Sequence, residues 1–321
     1  KEQFQRELNP AQFEAVYHNS GPLLVIAGAG SGQTRPLTYR AARLVDEGHP
    51  PETILLLTFT RKAAGEMLLR ASRLLDHRCR RIAGGTFHAF ANSMLKRYAA
   101  ALDFPNSYSI IDRPDAENLI GFVVKEKIDT PRFGAFPRKK TLADIFSKTA
   151  NKDTALEDIV DAEYPHFFPY LEVLQEILAG YTALKKQQAV MDYDDLLNNL
   201  WILLERHPEV RDRITARYRH VMVDEYQDTN RVQARIVRRL AGDHHNIMVV
   251  GDDSQSIYSF RGADFRNIME FPTLFPGTRV ITLEENYRSA EPILSLTNRL
   301  IDQAIEKYPK VLFSQRGGER P

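Results

Sequence analysis

Two stretches of this chain combine residue types suited to phosphate chemistry. Ala27-Gly28-Ala29-Gly30-Ser31-Gly32-Gln33-Thr34 follows the apolar run Leu23-Leu24-Val25-Ile26-Ala27 and leads into a helical pattern over 33–47. Its glycines let the backbone N–H groups of Ala29, Gly30, Ser31 and Gly32 curl inward, and the helix N-terminus adds positive potential, so the loop can cradle a polyphosphate. Thr34 stands where a hydroxyl holds Mg²⁺ in the pattern G-x-x-x-x-G-K-[ST]. The chain departs from that pattern at Ala27, a mild change, and at Gln33, which replaces the lysine. A neutral amide, about one bond shorter, places no full charge between the terminal phosphates, and loss of such a contact costs about 10²–10³ in rate. Weak or absent hydrolysis is the expectation. Taken alone, the loop is equally a glycine-rich turn joining a strand to a helix.

The second stretch is Asp224-Glu225-Tyr226-Gln227-Asp228, directly after Val221-Met222-Val223. Two adjacent carboxylates at the carboxyl end of a parallel strand lie where α/β folds bind ligands. Asp224 suits Mg²⁺ held through water, and Glu225 suits orientation of the water that attacks a γ-phosphate. The alternative is an acidic surface turn.

The elements that must position these groups are readable in outline. Short Val/Ile/Leu runs at 23–27, 54–57, 82–84, 221–223, 247–250 and 280–282 alternate with helical patterns, which signifies a mostly parallel α/β sheet covered on both faces. Residues 109–192 carry almost no strand-like runs but helical patterns at 115–127, 141–150 and 168–188, so they read as a mainly helical insertion. Pro131 to Pro137 with Arg138-Lys139-Lys140 reads as an exposed loop. Pro36, near the end of a helix's first turn, is tolerable there.

Further stretches form an ordered series with these two. They are Leu8-Asn9-Pro10-Ala11-Gln12, Thr58-Phe59-Thr60-Arg61-Lys62-Ala63-Ala64, Gly85-Thr86-Phe87-His88-Ala89-Phe90, Val250-Gly251-Asp252-Asp253-Ser254-Gln255 running on to Gly262, and Glu285-Asn286-Tyr287-Arg288-Ser289. Together they resemble the motor of superfamily 1 DNA helicases of the UvrD/Rep/PcrA type. The resemblance covers nearly the whole chain, the helical insertion matching in position and character only. It implies an α/β fold with a RecA-like P-loop NTPase parallel sheet over 1–108 and 193–282, a helical inserted subdomain over 109–192, and the opening of a second motor domain over 283–321. It implies ATP and Mg²⁺ as cofactors, with Gln12 reading the base, Arg35 and Tyr287 flanking it, and Gln255 and Arg288 at the γ-phosphate. Phe59, Tyr258 and Phe260 would stack on unpaired bases, with Thr86, His88 and Arg261 nearby for phosphate or sugar. Stacking tolerates any base, as a translocating motor requires. Core packing is the alternative for the aromatics, above all Phe87 and Phe90, and His88 suits a structural role equally.

The implied activity is ATP-dependent unwinding of DNA, 3′ to 5′, in repair or replication, on single strands and duplex junctions. Gln33, together with an incomplete second motor domain, predicts an impaired chain. The rivals are a non-catalytic nucleotide- or DNA-binding module and the motor part of a helicase–nuclease subunit.

Composition sets outer bounds. The 321 residues carry 43 Lys plus Arg against 42 Asp plus Glu, a net +1, with 43% hydrophobic residues, which argues against wholesale disorder. One cysteine, Cys79, excludes an internal disulfide framework and a cysteine-based zinc site; beside Arg78, Arg80 and Arg81 it reads as a solvent-side thiol. The run Arg70, Arg73, His77, Arg78, Arg80, Arg81 is either solvated surface or a DNA-backbone contact. The absence of a long apolar run predicts a cytoplasmic protein without membrane contact.

Overall fold

The computed structural model describes residues 2–127, 136–258, 262–304 and 306–315. Two compact units are built. The first takes the chain up to Phe87, then Arg211–Thr229 and everything from Val237 on; the second takes His88–Val210 and Asn230–Ile236.

The first unit is organised by a six-stranded sheet. In chain order its strands are β1 (Leu23–Ala27), β2 (Ile54–Thr58), β3 (Ala83–Thr86), β6 (His220–Val223), β7 (Ile247–Gly251) and β8 (Arg279–Leu283), while the pair β4 (Ser109–Ile110) and β5 (Val190–Met191) belongs to the second unit. The spatial order is β3-β2-β6-β7-β1-β8, and every pairing is parallel. All six expected runs are strands. The physical reason shows in β1, β2, β6 and β7, where every residue is buried: a strand covered by helices on both faces needs apolar side chains on both, so it reads as a continuous run. The helix Thr34–Asp46 lays Leu37, Ala41, Leu44 and Val45 into this core beside β1, β2 and Met248. Its Arg40, also buried, donates to the Ala15 and His18 carbonyls at 3.1 and 2.6 Å, and burial lowers its pKa to about 9, which leaves it charged at neutral pH. Pro36 is the third residue of that helix and is accommodated.

Because every pairing is parallel, the carboxyl ends of all six strands lie on one edge. The segments after Ala27, Thr58, Thr86, Val223, Gly251 and Leu283 therefore emerge together.

The second unit is mainly helical, with a core of Ile120, Val123, Leu142, Ile145, Phe146, Ile159, Leu174 and Ile177 among others. It carries one feature that periodicity does not announce. β4 and β5 pair in parallel, Ser109 opposite Val190 and Ile110 opposite Met191, at the two ends of the helical segment. Two residues per strand show no alternation to read.

Three expectations need correction or restriction. Cys79 is not a solvent-side thiol: it is buried among Ala71, Ile82 and Leu44, and burial pushes its pKa up. Its neighbours stay outside, where Arg78 pairs with Asp76 and Arg81 with Glu52. Arg138-Lys139-Lys140 is exposed but not all loop, because Lys139 begins the helix Lys139–Lys152. Residues 131–135 of the expected loop lie outside the described residues. No helix among the described residues is long and apolar enough to cross a membrane.

Candidate functional site

The glycine-rich loop leaves β1 and is held from behind at successive carbonyls. Asn286 Nδ2 donates to the Ala29 carbonyl, the Tyr287 amide to Gly30 at 2.9 Å, and Gln12 Nε2 to Ser31 at 3.1 Å; within the loop, Ser31 N–H closes on Gly28 and Arg35 N–H on Gly32. With these carbonyls occupied, the amides are what the loop can offer an anion. Gly30 and Gly32 take φ of +84° and +79°, a region glycine enters without strain. A Cβ on Gly30 would stand 2.7 Å from Asn286 Nδ2 and 2.8 Å from Arg288 Cβ. Gly30→Ala should therefore destabilise the chain by about 1–3 kcal/mol and weaken nucleotide binding through displaced Tyr287 and Arg288. Urea unfolding and a nucleotide titration read the two effects; unchanged values for both would contradict this packing.

The acidic strand end comes to the same place. Gln33 Nε2 donates to Glu225 Oε2 at 2.8 Å, joining two residues 192 positions apart. Glu225 sits at φ +54°, a costly conformation for a residue with a Cβ, and its Oε2 also accepts from Gln227 Nε2 at 2.8 Å. The other end of that amide, Gln227 Oε1, accepts the Asp252 N–H at 3.0 Å. Gly251 makes this possible, since a Cβ there would fall 2.5 Å from Gln227 Oε1. Two glutamines thus fix one carboxylate, and the second ties the turn after β6 to the turn after β7.

A cavity of about 490 Å³ opens on these groups. Ala29, Gly30, Gly32, Gln33, Thr34, Arg35, Glu225, Gln255, Tyr287 and Arg288, all expected at a nucleotide site, line it together with Arg70. In the sequence Arg70 reads only as part of a basic run; its place on the wall depends on helix Arg61–Leu74 packing against helix Thr34–Asp46, which no local pattern reveals. Gln12 is engaged behind the loop instead of at the wall. It is fully buried, its Oε1 accepts the Asn9 N–H in a capping box, and its Nε2 is given to Ser31. Tyr287 is 38% exposed, with its hydroxyl accepting from Asn9 and donating to Glu285 at 2.8 Å, so the ring face is accessible.

Electrostatics set the carboxylates apart. Burial, then the neighbouring Glu225 charge, push Asp224 up to about 7, against relief from the Glu225 amide and the Gln33 side chain. The same two causes raise Asp228 to about 6. Asp224 Oδ1, Asp228 Oδ1 and Ser31 Oγ are buried without a hydrogen-bond partner. A buried carboxylate oxygen lacking a donor is satisfied by a cation, and Mg²⁺ takes one or two carboxylates, a hydroxyl, water and phosphate oxygens. Asp224 and Thr34 fit that donor set. Among the described residues no group of three or more His, Cys, Asp or Glu could hold a metal ion.

Phe59 and Thr86, at the carboxyl ends of β2 and β3, lie along the same strand edge. Phe59 and Tyr258 stack with ring centroids 5.1 Å apart and planes at 26°. Thr86 ends β3 opposite Thr58, the residue before Phe59. His88 lies in the second unit, partly buried, edge-on to the ring of Tyr193, with its pKa lowered by burial. Phe87 and Phe90 are 4% and 7% exposed and belong to the interior. Phe260 and Arg261 lie outside the described residues.

Comparison with known proteins points the same way. The family described as UvrD/REP helicase N-terminal domain matches residues 8–276. A protein named ATP-dependent DNA helicase PcrA from Staphylococcus epidermidis (strain ATCC 35984) is 38% identical over 315 residues, covering 98% of this chain and 42% of that protein. The protein of the same name from Staphylococcus aureus (strain Mu50) is 38% identical over 309 residues, 96% of this chain and 41% of its own length. The chain thus spans about two-fifths of the length of the curated relatives it matches.

Proposed function

This chain belongs to the UvrD/REP helicase family, and from that premise we propose that it carries the N-terminal motor portion of an ATP-dependent DNA helicase. ATP with Mg²⁺ is its nucleotide, and single-stranded DNA, reached at duplex junctions, is its track. Translocation from 3′ to 5′ is part of the proposal and rests on the motif series.

The observation that carries it is the hydrogen bond between Gln33 and Glu225 on the wall of one cavity also lined by Thr34, Gln255, Tyr287 and Arg288. The loop amides bind the phosphates and Arg35 and Tyr287 enclose the base. Glu225 orients the attacking water, and Gln255 and Arg288 report the terminal phosphate to the turns after β7 and β8. Thr34 and Asp224 would hold the cation, which would supply electrostatic stabilisation to the phosphate oxygens. Phe59 and Tyr258 offer a two-ring platform to unpaired bases. A binding-only reading has one observation in its favour: the loop position that ordinarily supplies a cation is a neutral amide already bonded to the carboxylate.

The test has two arms. Fluorescent ATP should bind the chain in the presence of Mg²⁺ and be displaced by unlabelled ATP. Labelled oligo-deoxythymidine should bind, and Phe59→Ala should weaken it about tenfold or more, the value of one stacked base, while leaving nucleotide affinity in place. Absence of nucleotide binding sinks the motor reading; unchanged DNA affinity in Phe59→Ala removes the platform from it.

A further inference from the structure

We propose that Lys310 is a positioning residue that gives the nucleotide site its preference for a terminal phosphate, acting through Asp252 on Gln255. This rests on the nucleotide-site reading above. No motif contains Lys310, and it lies 58 positions from Asp252. Its side chain is 1% exposed, and its ammonium pairs with Asp252 and with Asp253, whose side chains are each 3% exposed. Asp252 then spends its oxygens in two directions: Oδ1 accepts from Lys310 and from the Ser254 N–H, and Oδ2 accepts from Gln255 Nε2 at 2.7 Å. Gln255 is on the cavity wall with Glu225 and Arg288. A direct chain of contacts therefore runs from a buried ammonium to the amide that faces the terminal-phosphate end of the site.

The segment that bears Lys310 touches the other nucleotide-facing turns as well. Leu312 packs so closely over Gly28 that a Cβ there would stand 2.5 Å from its Cδ2. Phe313 donates to the Glu284 carbonyl at 3.1 Å and accepts the Asn286 N–H at 2.8 Å, and Asn286 in turn holds the Ala29 carbonyl. One short stretch thus braces the phosphate loop, the turn after β7 and the turn after β8 together.

Charge decides what Lys310 contributes. Asp252, Asp253 and the ammonium together carry one net negative charge; without the ammonium the same buried space carries two. Without the ammonium, Asp252 and Asp253 are left to repel one another or to move toward other donors, and Asp252 Oδ2 is the oxygen that holds the Gln255 amide. Either outcome takes Gln255 from the orientation Asp252 sets, and added negative charge opposes a triphosphate more than a diphosphate.

The experiment titrates a fluorescent, non-hydrolysable ATP analogue and fluorescent ADP, each with Mg²⁺, into the 321-residue chain. Lys310→Met should lose about tenfold in ATP affinity, the scale of one hydrogen bond to a charged group, with ADP affinity changed less than about twofold. Lys310→Arg, which keeps the charge, should retain most of the preference. In a Gln255→Ala background, Lys310→Met should change the ATP-to-ADP ratio no further, because residues acting in series are not additive. Equal losses for both nucleotides, or full additivity with Gln255→Ala, would overturn the proposal and leave Lys310 a structural brace. Should Lys310→Met lose its cooperative thermal transition, Lys310→Gln, which also removes the charge but keeps a polar donor in the pocket, carries the same test: a lowered ratio supports the linkage and an unchanged one overturns it. If the unsubstituted chain binds neither nucleotide, the nucleotide-site reading itself falls and takes this inference with it.

Discussion

Gln33→Lys should raise single-turnover ATP hydrolysis by about 10²–10³, the usual value of one pre-organised electrostatic contact to a reacting group. The loop already has what a lysine would need around it. Gly30 and Gly32 take their left-handed conformations, three carbonyls are tied back by Gln12, Asn286 and Tyr287, and the helix begins at Thr34. What is missing is a positive charge at position 33 itself. The Gln33 amide sits 2.8 Å from Glu225 Oε2, so the expectation of weak hydrolysis has two competing physical grounds: the absent charge, or a carboxylate occupied by the glutamine. Gln33→Ala separates them. It releases Glu225 without supplying a cation and should stay as slow as the unsubstituted chain, because Gln227 still holds the same Oε2. Measuring all three in the same chain, with saturating Mg²⁺ and with and without oligo-deoxythymidine, keeps everything outside residue 33 constant. A lysine variant no faster than about threefold over the unsubstituted chain would mean that charge at this position does not limit the reaction, and the binding-only reading would then hold. An alanine variant as fast as the lysine one would move the blame to the Glu225 contact.

The uneven legibility of this site has a physical basis. The phosphate loop and the Asp224-Glu225 pair could be read because each needs fixed residue types at fixed spacing: glycine for left-handed backbone, a hydroxyl at the helix start, carboxylates directly after a buried strand. Strands β1, β2, β6 and β7 could be read because burial on both faces removes polar residues from them. Lys310 could not, since nothing local distinguishes a lysine that will be buried against two aspartates from one in water. Its role is a property of a contact 58 positions distant. Cys79 misleads in the opposite sense: three neighbouring arginines suggest exposure, yet the short 3₁₀ turn His77–Arg81 directs the thiol into the core while Arg78 and Arg81 pair outward. Gln12 shows a third limit. Its place in an Asn9 capping box follows from the sequence spacing, whereas its bond to Ser31 depends on how the helix Pro10–Tyr17 meets the loop. Tertiary placement decides such cases, and local pattern carries no trace of it.

Asp224→Asn should invert the order of stability between the chain and its variant according to whether Mg²⁺ and ATP are present. Asp224 is 3% exposed and one of its oxygens has no donor. Burial and the Glu225 charge raise its pKa to about 7. The sign follows from which state binds the proton. Between the pH where an unfolded aspartate ionises, about 3.9, and the folded value of about 7, the folded chain keeps a proton that the unfolded chain has released. Stability from this group is therefore full below the unfolded value and declines as pH rises through the window. At pH 8 without metal, Asn removes that penalty. The variant should be more stable by about 1–4 kcal/mol, the upper figure being the width of that pH window at about 1.4 kcal/mol per pH unit and the lower allowing for the amide's own desolvation. Its stability between pH 4 and 7 should also be flatter. Mg²⁺ with ATP reverses the ranking, because a ligand that binds only the folded state at free concentration L adds stability of RT ln(1 + L/Kd), and a neutral amide, replacing the charge that holds the cation, raises that Kd. Thermal unfolding at pH 6 and pH 8, with chelator and with excess Mg·ATP, measures all four conditions on both proteins. If the variant is destabilised at pH 8 in chelator, Asp224 carries no stored penalty. If Mg·ATP stabilises both proteins equally, the buried carboxylate is not where the cation binds.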